Sequence, residues 1–255
     1  MVFYFTATGN SLYAAKRLDK NPVSIPKIIK DEAKYSDDKI GVVCPVYCGE
    51  IPHIVKRFLA LSKFDTPYMY LILTYGASAS DCAEFTENEF KKFGLHFDYI
   101  DTVHCVDNYL PVFDMAEERK IDKQTDSQID SIIRNIGLSK KYIPSATDED
   151  RKLHKQVATL NKILPSFNNG KMIKITDNCV GCGVCEKVCP IGNITVLTGF
   201  AKRRSKKCEY CLACVHACPK KAIVVKREKN KNERYRNENV SLEEIIESNS
   251  QDRSE

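Results

Sequence analysis

No stretch of this 255-residue chain approaches the roughly 18 consecutive apolar residues of a membrane-spanning helix, so no membrane partner is predicted. No basic leader precedes Val2-Phe3-Tyr4-Phe5, an apolar run that reads directly as a strand. Histidine is sparse: His53, His96, His104, His154 and His216 form no pair at metal-ligand spacing, none is assigned a catalytic role, and His53 stands out only for its place beside a candidate ligand loop. Outside residues 179–218 there is no C-x2-C pair either. Cys44 and Cys105 fall on predicted buried strands, where a thiol behaves as a small apolar group; Cys82 has no cluster spacing, and Cys44-x3-Cys48 lacks that of a dithiol pair. Twelve cysteines in a chain of this size, without a leader, point to a reducing cytoplasm and away from a disulfide scaffold.

What the chain does have is eight cysteines in two copies of one pattern. The first is Cys179-Val-Gly-Cys182-Gly-Val-Cys185-Glu-Lys-Val-Cys189-Pro190, and the second is Cys208-Glu-Tyr-Cys211-Leu-Ala-Cys214-Val-His-Ala-Cys218-Pro219. Both read C-x2-C-x2-C-x3-C-P, a spacing that wraps three corners of an iron–sulfur cube and leaves the fourth to be supplied from elsewhere. The offset of 29 residues also carries Pro190, Ile194 and Val196 onto Pro219, Ile223 and Val225, the mark of an internal duplication. Gly181 and Gly183 suit tight turns, and the two prolines stop helix continuation. Four-cysteine zinc sites also use C-x2-C pairs, but they need neither the third cysteine nor the closing C-P.

Residues 171–226 resemble the bacterial two-cluster ferredoxins. In that pattern the last cysteine of each run ligates the other cluster, which groups Cys179, Cys182, Cys185 and Cys218 around one [4Fe-4S] centre. Cys208, Cys211, Cys214 and Cys189 then hold the second.

A chain of this length needs a further domain beside such a unit. Val2–Phe5 runs into Thr6-Ala7-Thr8-Gly9-Asn10-Ser11 and then a helical pattern from Leu12 to Leu18. Small hydroxyl residues around a glycine at a helix start can aim N–H groups at a phosphate without any lysine; alternatively, Thr8 or Ser11 simply caps the helix. The rest alternates strand and helix. Strands are predicted at Val23–Ile25, Ile40–Cys44, Tyr68–Leu73 and Phe97–Val106, and helices at Pro52–Leu61, at Ser80–Phe93 and around Ile129, Ile132, Ile133, Ile136 and Leu138. Such alternation implies a parallel sheet.

Thr-x-Thr-Gly-Asn-Ser after a first strand resembles the FMN phosphate loop of flavodoxins. That likeness implies an α/β, flavodoxin-like doubly wound sheet of order 2-1-3-4-5, with the flavin at the switch between strands 1 and 3. Pro45, Tyr47 and Gly49 after strand 3, and Thr74, Tyr75 and Gly76 after strand 4, become the walls of the ring site. Tyr47 is the first choice to stack on the ring and Tyr75 the second, though loop aromatics are also ordinary packing residues; Gly49 and Gly76 would let the backbone approach the ring edge.

The chain thus divides into a flavodoxin-like domain at 1–145, a linker at 146–170, a small α+β two-cluster ferredoxin domain at 171–226, and a charged tail at 227–255. Asn108-Tyr109-Leu110-Pro111 either covers the flavin or starts the connection. In the linker, Asp148–Leu164 reads as a helical strut with Leu153, Val157, Leu160, Ile163 and Leu164 inward, broken at 165–170. Ser241-Leu-Glu-Glu opens a capped helix in the tail, and 249–255 is predicted to be disordered. Residues 1–150 carry 18 Lys/Arg against 23 Asp/Glu, and residues 151–255 carry 21 against 11. The stretch 202–236 holds 13 of those cations, which either steer an acidic redox partner or form a solvated surface.

Taken together, these motifs and the Glu233-to-Glu244 segment resemble the flavodoxin-ferredoxin fusions called EFR family ferredoxins. The resemblance implies an anaerobe's cytoplasmic protein that passes electrons between two [4Fe-4S] clusters and FMN, joining one-electron to two-electron partners. A flavin-dependent reductase of a small molecule is the alternative. A nucleic-acid contact is disfavoured, because only Tyr210 and Tyr235 lie among the basic residues.

Overall fold

Apolar runs too short to be helices form the strands, and the longer amphipathic stretches between them form the covering helices. A computed structural model describes residues 1–29, 32–163 and 170–251. In order these give β1 (Val2–Tyr4), α1 (Asn10–Leu18), β2 (Val23–Ser24), α2 (Ile25–Ile28), β3 (Ala33–Ser36), β4 (Ile40–Pro45), α3 (His53–Leu61), β5 (Ser62–Asp65), β6 (Met69–Tyr75), α4 (Cys82–Lys91), β7 (Tyr99–His104), α5 (Met115–Glu118), α6 (Thr125–Gly137) and α7 (Asp148–Ile163). The cysteine-rich part and tail add β8 (Ile173–Ile175), α8 (Val184–Lys187), β9 (Ile194–Leu197), β10 (Phe200–Arg203), α9 (Ala213–His216), β11 (Ile223–Val225) and α10 (Leu242–Asn249).

Five strands make a wholly parallel sheet in the order β2-β1-β4-β6-β7. Counting only these five along the chain, the order is second, first, third, fourth, fifth. Side chains alternate across the pleat. Val2 and Tyr4 of β1, Val43 of β4 and Ile72 of β6 face one core with Leu12 of α1 and Ile129, Ile132 and Ile136 of α6. Phe3, Val42, Leu71 and Leu73 face the other with Val55, Phe58 and Leu59 of α3 and Phe90 of α4. The cysteine-rich part is built on two antiparallel ladders, β9 with β10 and β8 with β11, so the strand before the first cysteine run pairs with the strand after the second.

Several expectations need correction. β3 and β5 form an unforeseen two-stranded parallel pair; each is four residues long and half buried, and Tyr35 stacks on Phe64 above Phe58. Leu138 lies past the end of α6 and is 82% exposed. In α7 two leucines of the apolar stripe do not face inward: Leu153 and Leu160 are 45% and 49% exposed, while His154 is 5% exposed, because the packed face runs through Arg151 and His154. Val157 is half buried; Leu164 and 165–169 lie outside the described residues.

The segments assigned to separate units are packed as one. Leu110 and Met115 enter the core around Ile173, Leu212 and Ile223, whereas Val188 and Ala213 of the cysteine-rich part join the first sheet face. Buried His216 pins the junction, its Nε2–H donating to the Asn108 carbonyl at 2.9 Å and its Nδ1 accepting from the Tyr235 N–H at 3.0 Å. Burial lowers its pKa to about 4, which keeps the ring neutral for this tautomer.

The tail is not a loose charged segment. The Asn237 N–H donates to the Thr8 carbonyl at 2.8 Å, and α10, capped reciprocally by Ser241 and Glu244, packs Ile245 against the first sheet face. Residues 249–251 are ordered, contrary to expectation: Asn249 is fully buried, and Gln251 Nε2 donates to the carbonyls of Pro26 and Pro190, bridging the two halves. Residues 252–255 lie outside the described residues. Asn249 Nδ2 donates to the buried Thr6 carbonyl at 3.0 Å. Replacing Asn249 by Ala removes that donor and is expected to destabilise the fold by about 1–3 kcal/mol, read as a lower urea midpoint.

Candidate functional site

A cavity of about 620 Å³ opens at the carboxyl edge of the parallel sheet, where the chain departs in opposite directions from β1 and β4. Thr6, Ala7, Thr8, Asn10 and Ser11 line it from the first loop, Pro45, Tyr47 and Gly49 from the loop after β4, and Thr74, Tyr75 and Gly76 from the end of β6 and the loop after it. All the candidate residues of these three loops therefore share one wall except Gly9, which the tail covers.

The first loop holds its shape by spending its hydroxyls internally. Thr6 Oγ1 accepts from the Gly9 N–H at 3.1 Å, Thr8 Oγ1 accepts from Asn108 Nδ2 at 2.8 Å, and Ser11 Oγ lies 2.7 Å from Thr74 Oγ1. Neither Thr8 nor Ser11 caps α1: the cap position is Gly9, at φ 104°, with no side-chain cap. A helix start without a cap leaves its first N–H groups for an anion. Asn10 Oδ1 accepts from Tyr235 Oη–H at 2.7 Å and from Asn237 Nδ2 at 3.1 Å, so the tail grips this loop from behind.

Tyr47 packs edge-on to Phe5, and Tyr75 lies parallel to His104 with ring centroids 5.0 Å apart. Gly49 and Gly76 make room for protein groups as well as for any ligand. Gly49, at φ 82°, would place a Cβ 3.1 Å from His154 Cδ2, and any side chain at 76 would collide with Asp107. The Asp107 carboxylate ties the walls together by accepting from the N–H groups of Ala77 at 2.8 Å and Tyr109 at 2.9 Å; burial pushes its pKa up.

Contributions to the wall that were not foreseen include Asp107, the α7 face with His154, Phe113 and the stretch Glu209–Leu212. Asn108 and Tyr109 both line the cavity, while Leu110 starts the connection, so that segment does both of the jobs considered for it. Glu209 is on the cavity wall near the start of α3, where burial raises its pKa and the His53 and Ile54 N–H groups offset part of that. A glutamate between two cluster-type cysteines offered no sequence signal for this, since its partner is backbone.

The eight cysteines surround two small voids. One is lined by Cys179, Cys182, Cys185 and Cys218, the other by Cys189, Cys208, Cys211 and Cys214. Gly181 and Gly183 take positive φ at the turns of the first run. Burial drives the Cys185 thiol up to about 12 and raises Cys208, Cys211 and Cys214 as well, with repulsion among neighbouring thiolates adding to it. Such thiols ionise only against a strong local positive charge, which is what a metal centre supplies. Cys211 and Leu212 line both the second void and the large cavity. Cys44, Cys82 and Cys105 are buried away from either void, and exposed Cys48 lies on the cavity wall. Among the described residues no helix is long and apolar enough to cross a membrane.

A family model for 4Fe-4S dicluster domains matches residues 171–219. Over 60 residues the chain is 45% identical to a component of the ion-translocating oxidoreductase complex of Methanosarcina acetivorans, covering 23% of each protein. It is 36% identical over 64 residues to the putative electron transport protein YsaA of Escherichia coli, covering 23% of this chain and 41% of that protein. It is also 36% identical over 74 residues to an iron-sulfur protein of Rhodospirillum rubrum, covering 22% and 39%. The chain thus spans well under half the length of these relatives. The solved structure of the Trp repressor binding protein from Bacillus subtilis overlays 52% of this chain and 94% of its own at 12% identity, with a TM-score of 0.34, too low to support any statement about the fold. Residues 171–219 thus match a 4Fe-4S dicluster domain, which supports iron–sulfur electron transfer as the chemistry of this part.

Gly9 offers a direct check on the tail contact. A Cβ there would sit 2.9 Å from that of Asn237 and 3.0 Å from that of Val240, at a φ unfavourable for any L side chain. Gly9→Ala is expected to destabilise the protein by about 2–4 kcal/mol in urea unfolding.

Proposed function

We propose that this chain carries electrons between two [4Fe-4S] clusters and an FMN bound in the large cavity, coupling one-electron to two-electron partners. The observation that carries the reading is the shared wall: Cys211 and Leu212 border both the second thiol-lined void and the cavity. A centre held by Cys189, Cys208, Cys211 and Cys214 would be the inner relay, and one held by Cys179, Cys182, Cys185 and Cys218 the outer. The cavity suits FMN in several respects. Its volume lies in the ordinary range for cofactor sites, α1 presents an uncapped start to a phosphate, and Tyr47 and Tyr75 stand in the loops that would flank a ring. Bound there, FMN would supply the step from single electrons to pairs. The five-stranded order with its switch between β1 and β4 supports the flavodoxin-like assignment.

Electrons would enter at the outer centre. Cys182 is exposed there with Val180 and Lys220 on the same void, and Lys202 and Lys221 are exposed next in sequence to the lining residues Ala201 and Lys220. Within the basic stretch Arg234 pairs with the buried Glu228 carboxylate at 3.1 Å, and Glu233 meets Arg119 from outside it. An acidic redox protein fits the remaining patch, and its association would weaken with salt.

Protein purified without air is expected to release one FMN on acid treatment and to hold about eight irons, four per cluster. Cys211→Ala should lower iron by about half and slow electron delivery to the cavity, whereas Cys44→Ala should leave iron unchanged. Cubane absorption with no releasable flavin after reconstitution would leave a ferredoxin beside an empty cavity and end the converter reading.

A further inference from the structure

Of the two histidines on the cavity wall, His53 is exposed and His154 is buried. His154 reaches the wall from α7, outside the loops that carry the proposed flavin contacts, and both of its ring nitrogens meet acids. Nδ1 lies 2.6 Å from Asp81 Oδ1, an ion-pair contact without hydrogen-bond alignment, and Nε2 lies 3.3 Å from Glu50 Oε1. The ring edge is fixed by Phe85, at 4.6 Å between centroids and 80° between planes, and by Gly49, which leaves room for Cδ2. Ionised carboxylates only accept, so Glu50 takes a hydrogen bond from a protonated Nε2, while Asp81 faces Nδ1 as a charge.

The charged groups around it are few. Asp81 precedes α4; Glu50 comes from the loop after β4, with Lys56 of α3 behind it at 2.6 Å and Glu89 of α4 2.9 Å beyond that lysine. Arg151, one turn earlier on α7, is turned away to Glu84 and Asp148. The other α7 residues on the wall are Leu153, Val157 and Ala158, and among the described residues no lysine or arginine lines the cavity. A proton donor held beside the apolar side chains of α7, on a wall without lysine or arginine, suits a neutral acceptor whose reduction consumes protons.

We propose that the outer part of the cavity takes a neutral, largely apolar conjugated carbonyl compound, and that His154 is the proton donor for its two-electron reduction. This rests on the electron-transfer reading above. The reaction saturates the C=C bond: its π bond is lost and two C–H bonds form, using two electrons and two protons. The electrons come from a low-potential one-electron donor and arrive singly through the cysteine-lined centres. One proton leaves Nε2 of His154, the other comes from water, and the ring regains its proton through half-exposed Glu50. Asp81 is a positioning residue, holding the opposite edge of the ring.

The test uses holoprotein whose iron and flavin contents have been measured, reduced with dithionite and supplied with benzylideneacetone. Saturated ketone should form at one per two electrons, at a rate that falls as pH rises. His154→Gln should lower the rate by about 100-fold or more and flatten that pH dependence, while the Kd for benzylideneacetone, measured by equilibrium dialysis on oxidised protein, and the cofactor contents stay as in the wild type. Asp81→Asn should give a smaller loss of the same kind, and provides the check if His154→Gln does not fold. Leu153→Asp should weaken benzylideneacetone binding without altering iron or flavin. No saturable binding, or equal rates and pH profiles in wild type and both histidine-pair variants, would overturn the inference. A protein that binds benzylideneacetone and holds iron but no flavin would instead sink only the preceding reading.

Discussion

Docking a void lined by four cysteines against the carboxyl edge of a parallel sheet is the constraint on which the rest of this molecule depends. The edge is where α/β sheets leave a crevice, because adjacent strands send their connections to opposite faces. Here the second cysteine run closes that crevice, with Glu209 at the start of α3 and Cys211 and Leu212 forming a wall common to the crevice and a thiol-lined void. A different docking would leave the same two folds with no common wall, and electron transfer between centres requires closeness before it requires anything else.

Keeping that docking in register falls to parts of the chain that look expendable. The segment after β7 sends Leu110 and Met115 into the core of the cysteine-rich part, and His216 answers by holding the Asn108 carbonyl. The tail returns the other way, laying Asn237 on Thr8 and Asn249 on Thr6, and Gln251 then spans Pro26 and Pro190. These are buried backbone groups with few other partners available, so each contact carries the cost of leaving a carbonyl unsatisfied if it is broken. The first loop is therefore ordered from both sides before any ligand arrives.

The two halves differ in how plainly their residues declare themselves. Runs such as Ile40–Pro45 and Met69–Tyr75 are apolar on both faces, which only a covered parallel strand requires, so the sheet could be read directly. β3 and β5 escaped because each buries only alternate residues and gains its pairing from a strand some thirty residues away. In α7 hydrophobic periodicity misled: the exposed leucines carry the apparent stripe, and the packed face depends on His154 and Arg151 finding carboxylates on α4 and the loops before α3 and α4. In the tail a high charge content masked Tyr235, Val240 and Ile245, each buried singly against a surface built by other elements.

By itself the sequence determined the two cysteine runs, their duplication, the glycine–hydroxyl turn after β1 and the parallel character of the sheet, since each is set by spacing within a few residues or by a burial pattern along one strand. Only the tertiary structure decided which cysteine borders the cavity, that Gly49 and Gly76 shelter His154 and Asp107, and that the tail clamps the first loop. Those facts rest on contacts between residues tens to hundreds of positions apart, fixed by how the surfaces pack, and no local pattern encodes the partner of a side chain that waits for its neighbour to be folded into place.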